Sequence, residues 1–389
     1  MADVKLLRFL YNGCREHRVR QDVGSTARAV HWSGHPHNCS QDGWLSKRYG
    51  TRLLHEGTGK VLVTEPSVAL RCPICRAPCQ GPALFTYTAR EAATHFCPPW
   101  RDESRFERLQ QSIRRLWGRE SCDIVKCAAC GFAFGVPFVG GDEDFYEILH
   151  ESYGYPGWRW DYSAALQILK DVAGPLLDVG AGTGVFLTAL DRRCQPWAAE
   201  GSDRMREILR AQGIAVLPDL LAAAEEKRQY FAAITMFQVL EHIANFRPML
   251  AACRTLLRPG GRLVITVPDG DAMLRQPALT GQHDMPPNHI NKFTPKSLGL
   301  LLQEEGFTSG QVIPEPPSWR NLGQSLYGRL HADSTDPQTL AARIYRIRSR
   351  RVRIPLLMLA GLIRGPALLP RVHELRQGGA FMITGTLAA

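Results

Sequence analysis

Long apolar runs are missing from this chain. None reaches the roughly 18 residues that a membrane-spanning helix needs. The opening stretch, MADVKLLRFLYNGCREHRVRQ, lacks the apolar length and the flanks of a secretory signal. These absences exclude a helical membrane span and point to the cytoplasm. Internal repeats are absent too, so a solenoid is excluded. Acidic residues are the minority, 37 against 47 basic ones, and the net charge of +10 comes mostly from arginine. That balance suits an acidic or phosphorylated partner. In a reducing compartment the eleven cysteines read as metal ligands or free thiols rather than disulfides. A length of 389 residues leaves room for two or three domains.

Residues 1–66 show neither helical nor strand period and are rich in turn formers, so a poorly ordered extension is expected. Residues 67–140 carry paired cysteines at both ends, around a helical stretch, RDESRFERLQQSIRRLW. The aromatic-rich segment 141–170 reads as a connector. From 171 to 389 the pattern alternates, with strand candidates at 176–179, 197–199, 214–217, 233–237 and 262–267 between helical stretches. This rhythm predicts an α/β fold, a parallel sheet covered by helices on both faces. In FTPKSLGLLLQEEGF, Thr294 reads as an N-cap, Pro295 as the first helical residue and Gly306 as the stop. The final GGAFMITGTLA reads as a last strand, which makes 316–378 a helical insertion before it.

The stretch LLDVGAGTGVFLTAL runs a strand into Gly180, Gly182 and Gly184 and then into a helical pattern. A dinucleotide fingerprint, G-x-G-x-x-G, is not present. The spacing is G-x-G-x-G, and Asp178 precedes the first glycine. A carboxylate there repels a pyrophosphate but suits a cofactor with an ammonium and a sulfonium group. S-adenosylmethionine (SAM) has both and no phosphate. At the tip of the next strand candidate, Glu200 can accept hydrogen bonds from both ribose hydroxyls.

With these residues the chain resembles the class I SAM-dependent methyltransferases, in particular the small-molecule branch that includes ubiquinone-biosynthesis O-methyltransferases. The matching pieces are LLDVGAGTG, AAEGSD, FAAITMFQVLEHI, LLRPGGRLVITVPD and NHINKFTPKSLGLLLQEEGF. The resemblance implies a Rossmann-like seven-stranded sheet with SAM across the strand C-termini. It implies that the three glycines pass under the cofactor, that Glu200 binds the ribose, that Asp219 lies near the adenine and that Gln238 borders the methionine part.

Methyl transfer to a hydroxyl requires alignment of the acceptor and removal of its proton. His242, just past the fourth strand, and His289, in the loop after the fifth, are the candidates, because imidazole titrates near neutrality. Glu241 reads as a helix-start residue. The [D/N]-P-P-[F/Y] motif of base and amide N-methylation is missing after the fourth strand, so DNA amino-methylation is discounted.

Cys72 and Cys75 form one C-x-x-C pair, Cys127 and Cys130 another. Two such knuckles give a closed four-thiolate site that selects structural zinc. Cys79, Cys97 and Cys122 are rivals for a ligand place. The layout resembles methyltransferases with an N-terminal zinc-ribbon-like module, sugar C-methyltransferases among them. The segment 343–376 sets arginines before an apolar stretch and reads as a cap, a dimer contact or a peripheral membrane contact. The expected activity is SAM-dependent methylation of a hydroxyl or carbon on a small metabolite or glycan precursor. Two rivals are an RNA methyltransferase that grips phosphates with its zinc module and arginines, and a non-catalytic SAM-binding or zinc scaffold.

Overall fold

The computed structural model describes residues 70–151, 157–347, 349–364 and 370–387. The extension expected at 1–66 lies outside the described residues. The described strands divide between two sheets. The first three are β1 (Phe85–Thr88), β2 (Ser121–Lys126) and β3 (Ala133–Val136). Then come β4 (Gly174–Val179), β5 (Cys194–Ala199), β6 (Ala215–Leu217), β7 (Phe231–Phe237) and β8 (Leu257–Pro268). The last three are β9 (Asn291–Lys292), β10 (Phe307–Pro314) and β11 (Ala380–Leu387).

The larger sheet has seven strands in the order β10-β11-β8-β7-β4-β5-β6, as the resemblance implies. β4, β5, β6, β7 and β8 run parallel, while β11 runs antiparallel to both β8 and β10. Every residue of β7, FAAITMF, is buried. Such a run without alternation is what a strand covered on both faces requires. Strand order reverses beside β4, with β7 on one side and β5 on the other, and this switch point opens a crevice at the strand C-termini. The helix Pro295–Glu304 starts at Thr294, whose side chain accepts from the Ser297 N–H in a capping box. Gly306, at φ 87°, follows its end.

The smaller sheet has the order β1-β2-β3-β9. Its last strand comes from the far part of the chain: Phe134 pairs with Asn291 and Ala133 with Lys292. The core follows the same path. Phe132 meets Phe293 and Phe246 at ring-centroid distances of 5.0 and 6.4 Å, so the cysteine-bearing segment and the larger sheet bury apolar surface in one continuous cluster. Between β10 and β11 stand the helices Trp319–Asp333, Leu340–Tyr345, Arg350–Arg364 and Val372–Arg376. On Arg350–Arg364, Val352, Leu359 and Ile363 are exposed. None of the described helices is long and apolar enough to cross a membrane.

Candidate active site and cysteine cluster

The glycine loop leaves β4 in the left-handed region, with Gly180 at φ 80°, Gly182 at 55° and Gly184 at 79°. An L side chain is strained there. At Gly184 space is missing as well, since a Cβ would stand 2.8 Å from Leu209 Cδ2. Glu200 follows β5 and is fully buried. Its carboxylate accepts the N–H groups of Gly182 and Ser202, each at 2.9 Å. Asp178 is buried in β4 and accepts from the Thr235 hydroxyl at 2.7 Å. Burial pushes its carboxyl up to about 7, against the pull of that hydrogen bond. A nearby cation would favour its ionised form. Asp219 caps the helix Leu220–Glu226, accepting from the Ala222 N–H at 2.8 Å. Gln238 leaves β7 at φ 59°, unusual for a non-glycine residue, and lines a cavity of about 660 Å³. The left-handed loop and the two buried carboxylates fit a cationic cofactor without phosphates.

His242 ends the 3-10 turn Leu240–His242 that follows β7. Its Nδ1 lies 2.7 Å from the Asn288 carbonyl oxygen. A carbonyl only accepts, so Nδ1 carries the proton and Nε2 holds a lone pair. The Tyr146 hydroxyl donates to the same carbonyl at 3.3 Å. His242 Nε2 is buried with no hydrogen-bond partner among the described residues, 3.8 Å from Glu241 Oε1. Both carboxylate oxygens of Glu241 are likewise buried and unpartnered. Glu241 is therefore not an α-helix start: it lies buried in the 3-10 turn, ahead of the helix Phe246–Leu256. Burial pushes its carboxyl up to about 7, although the nearby His289 pulls it down. Burial also holds His242 well below the usual imidazole range, which keeps it neutral.

His289 lies beside this pair, with its ring centroid 4.7 Å from that of His242 and its Nδ1 2.7 Å from Asp284 Oδ1. Glu241, His242 and His289 each bring a donor atom within 4.8 Å of the others. Two imidazoles and a carboxylate so arranged can share a proton or take up a divalent cation. His289 and Asp284 line a second cavity of about 420 Å³, together with His95, Phe96, Met273 and His283. The two cavities are neighbours that share Gln276, Gln282 and Gly379 as lining, with Gln238 in the first and His289 in the second. Sequence reasoning singled out both histidines but missed Glu241, Asp284 and Tyr146. The signal for Asp284 was local, a carboxylate and an imidazole on one short proline-containing loop, DMPPNH.

Residues 151–312 match the family model described as methyltransferase domain. Among curated proteins, ubiquinone biosynthesis O-methyltransferase of Xanthomonas oryzae pv. oryzae is 31% identical over 117 residues, 28% of this chain and 48% of the relative. The enzyme of that name from Xylella fastidiosa is 32% identical over 102 residues, 23% of this chain and 40% of its own. The match thus spans about half the length of these curated relatives. Among solved structures, a SAM-dependent methyltransferase from Archaeoglobus fulgidus aligns over 62% of this chain and 99% of its own, at 13% identity and a TM-score of 0.38. The [4+2]-cyclase SpnF aligns over 61% and 85%, at 19% identity and a TM-score of 0.39.

The cysteine cluster lies outside both cavities. Cys72, Cys75, Cys127 and Cys130 bring their sulfurs within 4.8 Å of one another. Cys72 Sγ is 3.6 Å from Cys130 Sγ, and Cys75 Sγ is 3.5 Å from Cys127 Sγ. Tetrahedral zinc with Zn–S bonds of about 2.3 Å separates its sulfurs by roughly 3.8 Å, so the set fits that ion. Each knuckle is followed by a left-handed residue, Arg76 at φ 60° and Gly131 at φ 80°. Cys97 and Cys122 lie outside this group, bonding weakly to backbone carbonyls. Two basic side chains from the helices Phe246–Leu256 and Pro295–Glu304 hold both knuckles. Arg247 donates to the Ile74 carbonyl at 2.7 Å, and Lys296 to that of Ala129 at 2.8 Å.

Proposed function

We propose that this protein is a SAM-dependent methyltransferase acting on a hydroxyl of a small acceptor bound in the cleft. One observation carries the reading: an imidazole backed by a half-buried carboxylate, His289 on Asp284, lines a cavity that shares Gln276, Gln282 and Gly379 with the one at Gln238. SAM supplies a methyl group on a cationic sulfur. Asp178, Gly180, Gly182, Gly184, Glu200, Asp219 and Gln238 are the residues proposed to hold it. His289 takes the proton that the acceptor hydroxyl releases, while neutral His242 and buried Glu241 wall off water beside it.

The lining of the larger cavity supports a polyhydroxylated acceptor such as a glycan precursor. Trp158 and Trp160 offer flat apolar faces, and Gln276 and Gln324 offer amides that both donate and accept. Hydroxyl groups have the same double capacity. The four clustered thiols hold one structural zinc, and a reducing cytoplasm keeps them able to do so.

The test is transfer of labelled methyl from SAM to a panel of phenolic and saccharide hydroxyl acceptors. Product formation is expected, with kcat for His289→Ala lower by roughly 10²–10⁴. Failure of the wild-type protein to bind SAM in calorimetry would overturn the reading.

A further inference from the structure

His289 is held from behind by a half-buried carboxylate, Asp284, and a buried ammonium, Lys292. Asp284 Oδ1 lies 2.7 Å from His289 Nδ1, and Asp284 Oδ2 lies 3.3 Å from Lys292 Nζ. The lysine is only 2% exposed. Its ammonium also donates to the backbone carbonyls of Asp284, at 3.2 Å, and His289, at 3.4 Å. Lys292 itself sits in β9, paired with Ala133 of the cysteine-bearing sheet. A chain of contacts therefore runs from that sheet through Lys292 and Asp284 to the imidazole.

We propose that Asp284 and Lys292 are positioning residues that fix His289 as its Nδ1–H tautomer and so leave the Nε2 lone pair for the acceptor. The claim rests on the base role given to His289 above. An ionised carboxylate accepts hydrogen bonds and donates none. With Asp284 ionised, the proton shared at 2.7 Å must belong to Nδ1. Burial alone would raise the Asp284 carboxyl, but His289 and Lys292 outweigh it and hold it well below the usual range. In the transfer step the acceptor O–H bond breaks and an Nε2–H bond forms. The resulting imidazolium then faces the Asp284 carboxylate, which stays ionised. The same tautomer serves a cation at Nε2, since a second partner on Nδ1 orients a ligating imidazole in the same way.

Lys292 makes the proposal sharp. An ammonium only donates. In Asp284→Asn the amide oxygen must therefore turn to Lys292, which leaves the NH₂ facing His289 Nδ1. That arrangement forces the proton to Nε2. In the double variant Asp284→Asn/Lys292→Met the amide is free to turn, and the preference is lost.

The experiment is nitrogen NMR on full-length protein labelled at histidine, at a pH that neutralises the imidazoles, with His289→Gln to assign the signal. Wild type is expected in the Nδ1–H form, Asp284→Asn in the Nε2–H form, and the double variant in a mixture. SAM calorimetry on each variant checks that it is folded. Wild-type His289 in the Nε2–H form would overturn the proposal even if no variant folds. So would an Asp284→Asn protein that keeps Nδ1–H. The sample contains neither methyl donor nor acceptor. A failure of the base role, seen as undiminished kcat in His289→Ala, is therefore a separate result.

Discussion

The half of the structure proposed to hold the cofactor and the half proposed to receive the acceptor treat some of their buried polar groups differently. In the cofactor half the carboxylates are occupied: Glu200 by two backbone N–H groups, Asp178 by a hydroxyl, Asp219 by a helix N-terminus. In the acceptor half, both oxygens of Glu241 and Nε2 of His242 are buried with no partner among the described residues. Leaving such groups unpaired costs on the order of 1–3 kcal/mol each. A fold built only for stability would fill these positions with apolar side chains. The contrast separates the proposed cofactor half, whose carboxylates are already engaged, from a region whose lone pairs are open to a proton or a cation.

The largest effect expected comes from outside both halves. If the cysteine cluster supports the acceptor half through β3 and β9, removing its zinc breaks that half first. Structural zinc contributes on the order of 10 kcal/mol to small metal-dependent modules. Cys127→Ser/Cys130→Ser should lose its zinc in metal analysis and lower the melting temperature sharply. SAM affinity should fall far less, because β4 and β5 lie in the other sheet. Full zinc content in this variant would remove the pair from the ligand set.

The next effect sharpens the contrast inside the acceptor half. His289→Ala should lower kcat by roughly 10²–10⁴ with SAM affinity nearly constant. His242→Ala should act mainly on stability, because the ring is buried and tied to the Asn288 carbonyl. Equal kcat losses in the two variants, accompanied by a metal that chelation removes, would make the cluster a cation site rather than a base.

The same contrast decides what the sequence reveals. Most of the proposed cofactor half is encoded within one stretch, 174–200, where strand, glycine turn and acid stand close along the chain; between β4 and β5 the expected helix is only the 3-10 turn Leu187–Ala189. Local pattern is enough to read it. The acceptor half brings together Tyr146, Glu241, His242, Asp284 and His289 from three distant segments, and no local pattern states which of them meet. Burial matters too: Glu241 in VLEH reads as a helix-start residue until the fold covers it. β10 went unread for a related reason. Its sequence, FTSGQVIP, lies mostly exposed at the sheet edge and carries few apolar residues. β9, at two residues, is too short for any period to show.

A smaller effect tests the electrostatics of the cofactor half. Asp178 has its carboxyl raised to about 7 from an ordinary 3.8. The folded state thus holds the proton more tightly than the unfolded state, and stability falls as pH rises between those values. Integrated over the window, this amounts to at most about 4 kcal/mol. Asp178→Asn should stabilise the SAM-free protein at pH 8 relative to wild type and flatten the decline between pH 5 and 8. Chemical unfolding at the two pH values measures it. An unchanged slope would mean that Asp178 ionises normally.

The smallest effect concerns Glu200, where bracing and binding must be told apart. Losing a charge-assisted contact to the ribose costs on the order of 2 kcal/mol, or roughly 30-fold in SAM affinity. Glu200→Ala also removes the acceptor for the Gly182 and Ser202 N–H groups, so the loop loosens before any ligand arrives. Glu200→Gln divides the two roles. Its amide has one oxygen to offer instead of two, and it presents NH₂ where the carboxylate accepted. If Glu200 only braces the loop, both variants lose stability without SAM, and their SAM affinities fall no further than that loosening explains. If it binds the ribose, affinity falls beyond the stability loss in both variants, and by more in Glu200→Ala. Calorimetry with SAM, set beside melting curves without it, makes the distinction. Unchanged affinity in Glu200→Ala would leave the glycine loop and Asp178 as the whole of the cofactor half.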